Sequence, residues 1–260
     1  MSAAPLLPAL RAGDANVLEP SGGGPVTRML VSVRNVEEAF AAAAGGADFI
    51  DLKEPRAGAL GGLPVETIAA IVIALRHDSR SGQRRRLPIS ATIGDWPADA
   101  LAQLLQRVSA VAVCGVDYVK VGIERNPAAP ALLQALAGCG HAVVPVFIAD
   151  RGLDFEALRQ ACRLGFPALM VDTADKSAGS LFDLIGTPEL RLFLAVVRDC
   201  GALAGLAGAL RMAHLPELLR LGPDFAGFRS AVCSSGRGSA LEPQLLDQLA
   251  ATLRAGSASN

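Results

Sequence analysis

The sequence predicts an α/β protein built as a single (β/α)8 TIM barrel, and three observations carry that expectation. Short apolar runs alternate with helical patterns eight times along the chain. A glycine repeatedly stops a helix and opens an even-numbered strand, at Gly46-Ala-Asp-Phe49, Gly115-Val-Asp-Tyr118, Gly165-Phe-Pro-Ala168 and Gly222-Pro-Asp-Phe225. Charged residues inside the strands fall on one face of alternate strands, as the interior layers of a barrel require. The competing architecture is an open doubly wound sheet. It would carry a glycine fingerprint after its first strand, and Ser32-Val-Arg-Asn35 has none.

Residues 1–28 are expected to be a flexible tail, and 29–255 the barrel. The tail's apolar patch, Leu6 to Leu10, is broken by Pro8 and is too short for a secretory signal. The first strand is Met29–Val33, and Asn35 is placed to cap helix Val36–Ala44, with Glu37 and Glu38 at its positive end. Strand two, Asp48–Lys53, opens into the loop Glu54–Gly62, and Pro64 starts a helix that runs to about Leu75. A polar segment from His77 to Arg86 leads to strand three, Pro88–Gly94, then helix Ala98–Cys114 and strand four, Asp117–Ile123. Helix Ala129–Ala137, strand Ala142–Ala149, helix Asp154–Leu164 and strand Ala168–Thr173 follow. After a loop to Leu181 come helix Pro188–Cys200, strand Leu203–Gly208, helix Leu215–Leu221, strand Phe225–Val232 and helix Glu242–Leu253.

Hydrophobic residues make up 51% of the chain and aromatics only 4%, so the interior must be closely packed alanine, valine, leucine and isoleucine. A net charge of −1 offers no field for nucleic acid or an anionic membrane, and neither partner is expected. The basic run Arg84-Arg85-Arg86 reads as a solvated loop. Five scattered cysteines look like small buried hydrophobes in a reducing compartment, which places the protein in the cytoplasm. His77, His141 and His214 have no metal-site spacing, so no metal and no cofactor are expected. No apolar stretch is long enough to span a membrane.

Lysine usage is the chemical signal. Of 24 lysines and arginines only three are lysine: Lys53, Lys120 and Lys176. Each lies in or just after an apolar run that reads as a strand. Lysine differs from arginine in having an amine that can lose its proton and attack a carbonyl. Residues two apart share a strand face, so Phe49, Asp51 and Lys53 point one way while Ile50 and Leu52 point the other. The same alternation groups Tyr118 with Lys120, Met170 with Asp172, and Gly227 with Arg229. Aliphatic faces must meet the helices, so the charged faces line the barrel axis. Counted from the starting glycines, Lys53, Asp172 and Arg229 share a level, with Asp51 and Lys120 one layer lower.

A structural ion-pair ring is the bland explanation. It would be costly in an interior normally filled by valine and isoleucine, which favours a site at the C-terminal mouth of the barrel. Asp51 beside Lys53 could hold the amine and accept protons. Like charge from Lys120 and Lys176 would favour a neutral, nucleophilic amine at the most buried lysine. Loops after the seventh and eighth strands commonly bind phosphate in such barrels. Here they present Gly205-Leu-Ala-Gly208, Arg229-Ser230 and Ser234-Ser-Gly-Arg237, so Gly205, Gly208, Arg229 and Ser230 are the candidate phosphate ligands.

These stretches resemble a known family. The likeness runs over about residues 29–240 and is carried by Leu30-Val-Ser-Val33, Gly45-Gly-Ala-Asp-Phe-Ile-Asp-Leu-Lys-Glu-Pro55, Ser90-Ala-Thr-Ile-Gly-Asp95 and Asp117-Tyr-Val-Lys-Val-Gly122. Met170-Val-Asp-Thr-Ala-Asp-Lys176 with Leu181-Phe-Asp183, Gly205-Leu-Ala-Gly208 and Phe228-Arg-Ser-Ala-Val-Cys233 complete it. The pattern is similar to the (5-formylfuran-3-yl)methyl phosphate synthases of methanofuran and methylofuran biosynthesis. That resemblance implies a TIM barrel that condenses two glyceraldehyde 3-phosphate molecules, losing phosphate and water, without a metal. It implies Lys53 as the Schiff-base lysine and Lys120 as the proton-transfer lysine, with Asp51, Asp172 and Lys176 also in the active site. The expected partner is a small phosphorylated sugar, and the expected assembly a homo-oligomer. Another Schiff-base barrel, of deoxyribose-phosphate aldolase or thiazole synthase type, and a non-catalytic sugar-phosphate sensor are the alternatives.

Overall fold

The computed structural model describes residues 26–58, 60–77, 86–97, 100–175 and 178–257. Eight parallel strands close into a barrel in sequence order, with the eighth pairing back to the first. They are β1 (Arg28–Val33), β2 (Phe49–Leu52), β3 (Ile89–Thr92), β4 (Tyr118–Ile123), β5 (Val143–Ile148), β6 (Ala168–Asp172), β7 (Leu203–Leu206) and β8 (Phe225–Phe228). The helices are α1 (Val36–Ala44), α2 (Val65–Arg76), α3 (Leu101–Val113), α4 (Ala129–Ala137), α5 (Phe155–Leu164), α6 (Leu181–Leu184), α7 (Thr187–Asp199), α8 (Leu215–Leu221) and α9 (Pro243–Ser257). Among the described residues no helix is long and apolar enough to cross a membrane.

The expected fold is present, with local differences. Residues 1–25 of the expected tail, with Arg84 and Arg85, lie outside the described residues. Arg28, assigned to the tail, already belongs to β1, and the buried Thr27 hydroxyl donates to Pro223 O at 2.9 Å. The last strand stops at Phe228 rather than Val232, because Arg229 (φ −138, ψ −56) leaves the extended conformation and Ser230–Val232 form a 3-10 turn. The short α6 begins where the expected loop ends, at Leu181, before the next expected helix. It is capped locally, the Asp183 carboxylate accepting the Ser180 N–H and hydroxyl, each at 2.7 Å. Of the cysteines, expected to be buried, Cys200 is exposed while Cys233 is buried. Burial pushes the Cys162 thiol up to about 12, which keeps it protonated.

The repeated glycine motif has a structural cause. Gly46, Gly115, Gly165 and Gly222 all adopt positive φ, between 62° and 88°, ending a helix and turning the chain into an even strand. Three of the four repeats place an aspartate two residues later, and each ties down the preceding odd strand. Asp48 accepts the Met29 N–H at 2.9 Å, Asp117 the Ile89 N–H at 2.7 Å and Asp224 the Ala204 N–H at 2.8 Å. The motif therefore sets where neighbouring strands begin, and hence the register of everything above them.

Strand alternation divides the core in two. Outward residues such as Ile50 and Leu52 meet the helices in a continuous aliphatic shell. Inward residues fill the lower barrel with a separate apolar cluster that includes Leu30, Phe49, Met170 and Phe225, the two rings lying 5.7 Å apart. This apolar floor leaves the polar inward residues for the upper half.

Gly205 is part of the floor. A Cβ there would fall 2.2 Å from the Phe225 ring. Gly205→Ala is expected to destabilise the barrel by about 1–3 kcal/mol through overpacking. An unchanged urea midpoint would show that the ring has room to move.

Candidate active site

Two amine–carboxylate pairs lie one above the other in the upper barrel. The lower joins Lys120 of β4 to Asp51 of β2, Nζ to Oδ1 at 3.0 Å. The upper joins Lys53, one residue past β2, to Asp172 at the end of β6, Nζ to Oδ2 at 3.2 Å. All four side chains are buried. The two pairs match the two layers counted along the even strands. The expectation that Asp51 holds Lys53 is corrected, because residues of one layer reach across the barrel while residues two apart on one strand are stacked along it.

Register supplies partners that the sequence reading missed. β1 and β3 place Ser32 and Ser90 on either side of Asp51. The Ser32 hydroxyl donates to Asp51 Oδ2 at 3.0 Å, and the Ser90 hydroxyl to Oδ1 at 2.7 Å. Three donors hold this carboxylate in one orientation. The available signal was a hydroxyl at an inward position of an otherwise apolar strand. Asp172 is oriented in a similar way, its Oδ1 accepting the Thr173 N–H at 2.8 Å.

A cavity of about 40 Å³ opens above these pairs and is lined by Asp51, Lys53, Lys120, Asp172, Ser230 and Arg237, among others. Gly208 and Arg229 also border it, whereas Gly205 lies below in β7 against Phe225 and does not. Lys176 lies outside the described residues.

Arg229 is not an open fork for phosphate, and this corrects the expectation. Its five N–H groups are all engaged. Nη1 and Nη2 donate to Glu38 at 2.5 and 3.0 Å, and the remaining donors reach the carbonyls of Ser32, Arg237 and Ser239. Burial alone would raise the Glu38 carboxyl. Hydrogen bonds from Arg229 and Arg34 outweigh it and hold the group below the usual glutamate range. Glu38 was read only as a helix-dipole charge at the start of α1, and nothing in its local sequence points to a partner 191 residues away. Arg237, in the loop after β8, also lines the cavity, and its guanidinium donates to Gly58 O at 3.4 Å.

The family model described as 4-HFC-P synthase matches residues 29–250. The chain belongs to the 4-HFC-P synthase family. A Methanosarcina barkeri protein named (5-formylfuran-3-yl)methyl phosphate synthase is 32% identical over 242 residues, covering 88% of this chain and 100% of that one. An Archaeoglobus fulgidus protein of the same name is 33% identical over 237 residues, covering 85% of this chain and 97% of its own. Among solved structures, phosphoribosyl anthranilate isomerase from Thermus thermophilus superposes with a TM-score of 0.60. It is 19% identical and covers 88% of this chain and 99% of that one, a likeness of fold alone. Membership in this family of synthases makes the chain an enzyme.

Proposed function

We propose that this family member condenses two molecules of glyceraldehyde 3-phosphate into (5-formylfuran-3-yl)methyl phosphate through an imine on Lys53, toward a furan-type one-carbon cofactor. Atom balance requires that one phosphate and two waters leave. The observation that carries the reading is the stack of two buried amine–carboxylate pairs facing one cavity. It offers a nucleophile and a separate proton carrier in one water-poor space, which this sequence of steps needs.

The Lys53 amine attacks the first aldehyde after Asp172 has taken up its proton. Loss of water then gives an iminium that acidifies the neighbouring carbon. Lys120, held by Asp51, removes that proton, and the resulting enamine expels the phosphate from its own third carbon to leave a conjugated iminium. The second triose phosphate, deprotonated at its second carbon, adds through that carbon to the conjugated terminus. A hydroxyl closes the ring on the second aldehyde, two waters leave, and hydrolysis of the imine returns the amine. The acid and base turns fall to the two pairs. Gly208, Ser230 and Arg237 provide the wall for a phosphate group.

The test uses purified protein and glyceraldehyde 3-phosphate alone. Mass spectrometry should find the furan phosphate, and borohydride added during turnover should leave a triose-derived mass on the peptide containing Lys53. An aldol hexose bisphosphate as the end product, or label confined to another lysine, would refute the assignment.

A further inference from the structure

Two loops at the barrel mouth hold one another through a reciprocal pair of arginines. Arg56, between β2 and α2, donates to Gly238 O at 3.1 Å, and Arg237, between β8 and α9, donates to Gly58 O at 3.4 Å. Each arginine thus rests on a carbonyl of the other's loop. These are neutral acceptors at exposed positions, the weaker class of partner for a guanidinium. Among the described residues neither arginine forms an ion pair, in contrast to Arg34 and Arg229, which are both committed to Glu38.

The surrounding structure braces the backbone but leaves the Arg237 side chain at the cavity. Arg229 donates to Arg237 O at 2.9 Å and Ser239 O at 2.5 Å, and Arg34 donates to Gly238 O at 2.9 Å. Three consecutive carbonyls are therefore held by arginines fixed to the barrel. On the other side, Asp95 accepts the Leu60 N–H at 3.0 Å and secures the β2–α2 loop. Burial pulls the Arg237 guanidinium below the usual arginine value, and nearby Asp172 acts against this. A second anion would add to the effect of Asp172. Among the described residues Lys53 and Lys120 have carboxylate partners, whereas the Arg56 and Arg237 guanidinium groups rest on carbonyls.

We propose that Arg56 and Arg237 form a latch that exchanges its two carbonyls for the phosphate of an incoming phosphate monoester, drawing both loops over the cavity and selecting phosphorylated substrates. This rests on the reading that the substrate is a triose phosphate, and adds to it Arg56 and the joint movement of the two loops. A phosphate offers charged oxygens in place of neutral ones, and a guanidinium fork engages two of them at once. No bond is made or broken, and the loops change only hydrogen-bond partners.

Titration calorimetry with glycerol 3-phosphate, which has no aldehyde to react, tests the latch directly, with glycerol as the uncharged control. Arg237→Met and Arg56→Met are each expected to weaken glycerol 3-phosphate binding by about ten- to a hundredfold, as befits loss of a charged hydrogen bond. Arg237→Lys should recover only part of this, since lysine keeps charge without the fork. Borohydride trapping of unphosphorylated glyceraldehyde on Lys53 should be unchanged in both methionine variants, whereas general loosening of the loops would lower it. Wild-type affinity for glycerol 3-phosphate in either variant, or equal loss of both readouts, overturns the latch. If the wild type makes no furan but the variants still lose glycerol 3-phosphate binding, the synthesis reading falls and the latch stands.

Discussion

Lys120→Arg is expected to fold, to form the Lys53 imine, and to lose furan formation by about a hundred- to ten-thousand-fold, the usual contribution of a placed proton-transfer group. Lys120 is only 3% exposed and lies above the apolar floor with Asp51 at 3.0 Å. Arginine keeps the charge that Asp51 requires, and a cavity of about 30 Å³ bordered by Lys120 on the floor side gives the longer side chain some room. What arginine lacks is a proton that can leave, because guanidinium stays protonated in proteins. Deuterium exchange at the carbon next to the substrate aldehyde, followed alongside furan absorbance, separates the roles. Exchange and turnover near the wild-type rate would show that Lys120 supplies charge alone.

Arg229→Ala is expected to act on stability rather than on substrate affinity. It removes both guanidinium contacts to Glu38 and leaves a buried carboxylate with the donors of Arg34 alone. Breaking one side of a buried pair in this way costs about 3–5 kcal/mol, a large share of a typical domain's stability. Arg229→Lys should restore part of it. Urea unfolding measures the loss, and a change below about 1 kcal/mol would place the pair with weak surface bridges instead. A phosphate anchor would behave differently, raising KM with the unfolding midpoint unchanged.

The same network sets an acid limb. Glu38 is held below the ordinary glutamate value, which is about 4.3 in an unfolded chain. Its contribution is therefore complete above that value and lost as pH falls through the lower folded one. Glu38→Gln should flatten the fall in stability over that window.

Much of the barrel was legible because its signals are local. Period-two alternation put Asp51 and Lys53 on one face and Ile50 and Leu52 on the other, and the structure keeps that division. Counting from the starting glycines was also sound, since those glycines and the aspartates after them anchor the strand starts. The end of β8 was not legible. Phe228 to Val232 reads as an apolar run, and the turn at Arg229 comes from the distant Glu38 and the carbonyls its guanidinium must reach.

The amino-acid sequence by itself determined the (β/α)8 class, the inward parity of Asp51, Lys53, Lys120 and Asp172, and the two levels on which they lie. Each follows from strand periodicity and short helix–strand spacing, which need no knowledge of distant contacts. Only the tertiary structure decided which carboxylate meets which amine, that Ser32 and Ser90 flank Asp51, and that Arg229 serves Glu38 while Arg237 faces the cavity. Those outcomes depend on barrel register and on the reach of long side chains across strands far apart in the chain, and neither is written in any local pattern of residues.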